Sequence, residues 1–145
     1  MNKRRLASLV AGAVLVVLGL AACGGGGKAE SEKGVTTTIA GVAASNHGTA
    51  DVSGQEEIEL TLDDKYFEPT LLKGKPGQKL TVGLGNEGTL EHTFTIDSES
   101  VDVDLKSGDK RKATVTFPAS GTLSFYCRFH KSQGMAGGLE ASSGY

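Results

Sequence analysis

From Gln55 onward, apolar and polar residues alternate with a period of two rather than the 3.6 of a helix. Ile58, Leu60 and Leu62 form the first set. Leu80, Val82 and Leu84 form the second, after a Lys75-Pro76-Gly77 turn signal. The pattern continues through His92, Phe94 and Ile96, then Val101, Val103 and Leu105. Ser107-Gly108-Asp109 turns the chain into Ala113, Val115 and Phe117, which end at Pro118. Leu123, Phe125 and Cys127 follow, and a last short strand is expected near Gly138–Ala141. Residues two apart on a strand share a face, so each set predicts a strand with one side in a core and the other in water. Several such strands, punctuated by Gly, Pro and Asp and with no amphipathic helical stretch, predict an antiparallel β-sandwich.

The same parity places two reactive side chains. His92 points with Phe94 and Ile96, and Cys127 points with Leu123 and Phe125. Both therefore lie on the apolar face near the end of a strand, a natural location for a metal ligand at the rim of a core. The segment Phe125-Tyr126-Cys127-Arg128-Phe129-His130-Lys131-Ser132-Gln133-Gly134-Met135 contains Cys-x2-His-x4-Met. With His92 upstream, the set supplies one thiolate, two imidazoles and one thioether. One Cys and two His in a plane with a weak axial Met suit copper that cycles between two oxidation states. The loop can bring its ligands to one point only by turning back sharply, which Gly134 permits. Each residue taken singly has an ordinary reading: a buried thiol, a surface or rim histidine, a packing methionine. Taken together those readings weaken, because the region from Gln55 onward holds two His, one Cys and one Met, and all four fall into one liganding pattern. Zinc is chemically open to Cys and two His, but an axial Met adds little for zinc.

The N-terminal third has a different character. Lys3, Arg4 and Arg5 precede an apolar run of 15 residues, Leu6 to Leu20. That run is short for a membrane-spanning helix, which needs about 20 residues. Residues 1–22 therefore read as a secretion signal. The run ends Leu20-Ala21-Ala22-Cys23, which resembles the lipobox of bacterial lipoproteins and marks Cys23 for lipidation; the plainer alternative is a cleavable signal with an incidental cysteine. Two or three acyl chains on Cys23 would make a durable anchor, where one would be marginal. Gly24 to Gly54 hold eight glycines in 31 residues and no aromatic, so residues 23–54 are expected to be a lipidated Cys and a flexible tether. Such a coil would reach about 30 Å root-mean-square. His47 falls in it as a solvated linker histidine, an accessory metal contact being the lesser option.

Composition narrows the function further. The 145 residues suit one domain, and a net charge of −2 excludes a strongly basic nucleic-acid binder. Loss of the leader would remove three basic residues and leave 12 basic against 17 acidic side chains, a net of −5. Two cysteines cannot build a disulfide framework. After export Cys127 is the one unmodified thiol, and it either packs or does chemistry.

The chain resembles the small, plastocyanin-like type 1 (blue) copper proteins of the cupredoxin family. The Cys-x2-His-x4-Met spacing carries the resemblance. Asn86-Glu87-Gly88-Thr89-Leu90-Glu91-His92-Thr93-Phe94 is similar to the family's Asn-x-Gly…His-x-Phe stretch, as Tyr66-Phe67-Glu68-Pro69 is to its N-terminal strands and Pro118-Ala119-Ser120-Gly121-Thr122 to the turn before the cysteine strand. The similarity spans roughly residues 56–141, within a copper domain placed at 55–145. It implies a Greek-key sandwich of about seven or eight strands. It implies one copper ion held equatorially by His92, Cys127 and His130, with Met135 axial. Asn86 would hydrogen-bond near the site. His130 would be the partly exposed electron exit, with Phe129 and Met135 as an apolar collar. Arg128 and Lys131 flank it and would make the docking face locally positive if they act; otherwise they are ordinary loop charges.

The function expected is a membrane-tethered, extracytoplasmic carrier of single electrons between redox partners of cytochrome or oxidase type. It would be a monomer at the outer face of the cytoplasmic membrane or in the periplasm. A copper chaperone or store that delivers the ion to an oxidase would use the same ligands. An enzyme is not expected, since a copper oxidase needs further histidines for oxygen and only His47 remains.

Overall fold

A computed structural model describes residues 33–142, and it is almost wholly β. Strands β1 (Val35–Ile39), β2 (Val42–Asn46) and β3 (Thr49–Asp51) come first. They precede β4 (Glu57–Asp63), β5 (Tyr66–Glu68), β6 (Leu71–Gly74), β7 (Lys79–Asn86) and β8 (His92–Ile96). A 3-10 turn at Asp97–Glu99 leads to β9 (Val101–Leu105), β10 (Lys110–Thr116) and β11 (Thr122–Tyr126). A second 3-10 turn, Lys131–Gln133, precedes β12 (Ala136–Ala141).

Two sheets stack face to face. One has the order β10-β7-β4-β5 and the other β3-β6-β12-β11-β8-β9. The sequence alternation explains the packing. Leu60 and Leu62 of β4, Leu80, Val82 and Leu84 of β7, and Val115 of β10 turn inward and are buried. Phe94 and Ile96 of β8 and Phe125 of β11 meet them from the other sheet. The two layers are joined by three aromatic rings. Phe67 of β5 sits edge-on to Phe125 at 5.1 Å and to Phe94 at 6.2 Å, and Phe94 and Phe125 lie 5.0 Å apart. Edge-to-face pairs of this kind add about 0.5–1.5 kcal/mol beyond the area they bury.

The sandwich holds more strands than the alternation predicts, and its sheets are mixed. β4 runs parallel to β7, while β6 runs parallel to both β12 and β3. Local periodicity sets which face a residue takes, but not the direction of its neighbour.

The N-terminal boundary also moves. The tether expected over 23–54 does not extend through residues 35–51, which form β1, β2 and β3. Ala40 and Gly41, both with positive φ (47° and 80°), make a two-residue turn between β1 and β2. Such turns match the twist of a hairpin. The hairpin buries Ile39 and Ala44 against Ala136 of β12, with Val42, Leu71 and Tyr126 alongside. β3 then adds to the edge of the larger sheet, and Val52 is fully buried. Averaged composition hides this, because a hairpin needs only a few buried residues when a neighbouring sheet supplies the rest of the surface. His47 is accordingly no linker residue. It stacks on Tyr66 with ring centroids 3.6 Å apart, and its N–H donates to Thr70 Oγ1 at 2.7 Å. The leader over 1–22, Cys23 and Gly24–Gly27 lie outside the described residues.

Candidate metal centre

The end of the sandwich near the start of β8 and the end of β11 brings three predicted ligands together. Cys127 follows the last residue of β11, His92 opens β8, and Tyr126 pairs with Thr95 across the two strands. His130 comes back to them on the loop between β11 and the second 3-10 turn. Backbone bonds close that loop. The Cys127 N–H donates to the Met135 carbonyl at 3.0 Å, and the N–H groups of Gln133 and Met135 donate to the His130 carbonyl at 2.9 and 3.1 Å. Gly134 makes the reversal with φ +88°. The hairpin braces the loop from outside, for the Ser45 N–H donates to the Gly134 carbonyl at 2.8 Å.

Both imidazoles turn Nδ1 toward the thiol. His130 Nδ1 lies 3.5 Å and His92 Nδ1 3.9 Å from Cys127 Sγ, and the two nitrogens are 3.2 Å apart. Three donors in a plane around one ion, each at a usual bond length of about 2.0–2.3 Å, would be about 3.5–3.8 Å from one another. The triangle therefore has the size that a single ion requires. Cys127 and His92 are fully buried, and His130 is half-buried. The Thr93 N–H donates to Cys127 Sγ at 3.4 Å. Met135 is fully buried at the end of the same loop.

Burial holds His92 below the ordinary histidine pKa, with Asp64 opposing the effect and His130 adding to it. Burial thus favours the neutral ring, the form that binds metal. Its far nitrogen, Nε2, faces Asp64 Oδ1 at 3.4 Å. The Asp64 carboxyl is itself pulled down to about 2, first by the Thr89 hydroxyl and further by the N–H groups of Leu90 and Thr89.

Asn86 does not touch the donors. Its buried amide donates to the carbonyls of Leu90 at 2.8 Å and Leu105 at 2.9 Å, and accepts the Gly88 N–H at 3.0 Å. It staples the segment leading into His92 to the end of β9. Of the two cations that flank His130, Arg128 is paired within the fold. Arg128 is held by Asp102 at 2.8 Å and Asp104 at 2.6 Å, and Lys131 Nζ lies over the Tyr126 ring at 3.9 Å. Next to His130, Phe129 is 49% exposed. Asp64 and Thr93 escaped the sequence reading. An aspartate in a turn carries no local signal of a histidine 28 residues away, and a backbone N–H carries none at all.

A soft thiolate, two imidazoles and a buried thioether loop at the rim of a two-sheet sandwich define the blue-copper class, and the arrangement fits a single type 1 copper ion. The chain belongs to the cupredoxin-like domain family, which matches residues 34–138. That match begins at the hairpin and so agrees with the earlier domain start. Solved structures share the fold. Dithionite-reduced auracyanin from the photosynthetic bacterium Roseiflexus castenholzii aligns with a TM-score of 0.52 at 20% identity, over 61% of this chain and 98% of its own. Auracyanin B aligns with a TM-score of 0.52 at 16% identity, over 61% and 89%. The metal-binding domain of the Streptococcus pneumoniae Cu(I)-exporting P-type ATPase CopA aligns with a TM-score of 0.54 at 11% identity, over 67% and 98%. No curated protein sequence matches the chain.

Proposed function

We propose that the protein carries single electrons on a copper ion that His92, Cys127, His130 and Met135 would hold. The observation that carries this reading is the convergence of Cys127 Sγ and two Nδ1 atoms within 3.2–3.9 Å of one another in a buried site. Bound copper would supply a one-electron Cu(I)/Cu(II) couple there. The protein's own part is to keep the donors nearly still. His92 and Cys127 sit at the ends of paired strands, and the Cys127–Met135 backbone bond closes the loop that carries His130. A set of donors held this way suits both oxidation states with little rearrangement. Half-buried His130, beside exposed Phe129, gives a partner a landing surface next to a ligand. Arg128, already paired with Asp102 and Asp104, adds little net positive charge to it.

The reading includes export and anchoring through Cys23, at the outer face of the cytoplasmic membrane or in the periplasm. The partners would be redox proteins of cytochrome or oxidase type. The first described strand begins at Val35, about a dozen residues after Cys23. The carrier would work close to the membrane. Copper delivery is the second reading, favoured by the fold shared with the CopA metal-binding domain. Full burial of two of the three donors favours retention over transfer.

The test is a Cu(II) titration of the mature chain, from Cys23 onward, followed by absorption and EPR. Cutting at residue 55 would remove β1–β3. The expected result is an intense thiolate-to-copper band with narrow parallel hyperfine splitting, bleached reversibly by reductant and absent in Cys127→Ala. Weak, colourless binding indifferent to Cys127→Ala refutes the site. Prompt loss of copper to a bathocuproine-type Cu(I) chelator, with no reversible oxidation, selects delivery.

A further inference from the structure

We propose that Asp64 is a positioning residue of the metal centre: its carboxylate accepts the Nε2–H of His92, fixes the tautomer that presents Nδ1 to the metal, and strengthens that nitrogen as a donor to Cu(II). This rests on the copper reading of His92, Cys127 and His130. The geometry is that of a built site. His92 is wholly buried, and its two ring nitrogens have separate duties. Nδ1 faces Cys127 and His130, while Nε2 faces Asp64 Oδ1 at 3.4 Å. Three further bonds fix the carboxylate. Oδ1 accepts the N–H groups of Thr89 at 2.9 Å and Leu90 at 3.1 Å, and Oδ2 accepts the Thr89 hydroxyl at 2.6 Å. Asp64 therefore ties the turn between β4 and β5 to the segment that delivers His92.

Gly88 makes room for this contact. A Cβ there would stand 2.4 Å from Asp64 Oδ1 and 3.0 Å from the Asp64 backbone nitrogen. Any side chain at position 88 must push the carboxylate away. The Asp64 side chain is 37% exposed, so through-space attraction to the centre is screened. Its influence passes chiefly through the hydrogen bond to the buried ring. A carboxylate accepting the far N–H of a ligating imidazole raises the basicity of the near nitrogen, and loss of such a partner typically costs about 10–100-fold in metal affinity. The more highly charged ion gains more from the stronger donor, so the effect favours Cu(II) over Cu(I).

Asp64→Asn keeps the shape and removes the charge. It should weaken Cu(II) binding about tenfold and leave Cu(I) binding nearly unchanged, which raises the reduction potential by about 59 mV for one electron. Gly88→Ala keeps the charge and displaces it, and should raise the potential in the same direction. In the copper-free mature protein, ¹⁵N shifts of His92 should show Nε2 protonated and Nδ1 bare. A purely structural role for Asp64 would lower stability and leave the potential where it was. Intact blue bands with unchanged potentials in both variants overturn the proposal, as does a His92 protonated on Nδ1 in the unmodified protein. If neither variant folds, that tautomer decides. Absence of any blue band in the unmodified protein would instead refute the copper reading, while the tautomer would still test the hold of Asp64 on His92.

Discussion

Asn86→Ala should destabilise the fold far more than the loss of one surface amide. Position 86 needs two donors and one acceptor on a single short side chain, and only an amide supplies both. Nδ2 serves the carbonyls of Leu90 and Leu105, and Oδ1 serves the Gly88 N–H. The bonds to Leu105 and Gly88 are fully buried, so truncation strands a carbonyl and an N–H away from water. Each stranded group costs about 1–3 kcal/mol, which gives about 2–6 kcal/mol for the two. The Leu90 carbonyl is partly open to solvent and adds little. With a urea dependence of about 2 kcal/mol per molar, the unfolding midpoint of the copper-free protein should fall by about 1–3 M at unchanged slope. Asn86→Asp should do at least as badly, because it sets a carboxylate against two carbonyl oxygens. The same staple holds the segment entering His92, so Asn86→Ala should also speed loss of bound copper to a chelator. A midpoint lowered by less than about 0.5 M would refute the reasoning, since the stranded groups would then have found other partners.

Two further outcomes follow from the packing and the charges. Ile39→Asp places a charge in the small cluster under the hairpin; hydrogen-exchange protection should vanish over β1 and β2 and persist over β7 and β11, and equal loss in all four would show that the hairpin does not open by itself. The copper-free protein should lose stability as pH falls below about 6.5, because burial lowers the pKa of both His47 and His92 while the unfolded chain takes up those protons at the ordinary value. The contribution is full above pH 6.5 and is lost on descent toward the folded-state values, so urea midpoints that stay flat from pH 7.5 to 5 would contradict it, and His47→Gln should flatten part of the slope.

Much of this molecule can be read along the chain. Alternation located β4, β7, β8, β9, β10 and β11, because apolar residues on one face of a strand repeat every two positions, and a last short strand was expected where β12 lies. The three clustered donors were legible because their residue types are scarce after Gln55, and parity put His92 and Cys127 on the inner face. The sharp reversal at Gly134 followed from the spacing of the loop. What the tertiary structure decided is of another kind. The hairpin β1–β2 buries too few residues to announce itself, and it is held by β12 and the ligand loop about 90 residues further on. The parallel pairings of β4 with β7 and of β6 with β3 and β12 depend on which edges meet, not on local pattern. Arg128 looks like a free cation in its own segment until folding sets Asp102 and Asp104 against it. Asp64 looks like any turn aspartate until folding carries it to the back of His92. Periodicity and residue type report how each side chain meets water or a core. The direction of a neighbouring strand and the partner of a charge arise only when distant segments come together, so they belong to the folded molecule.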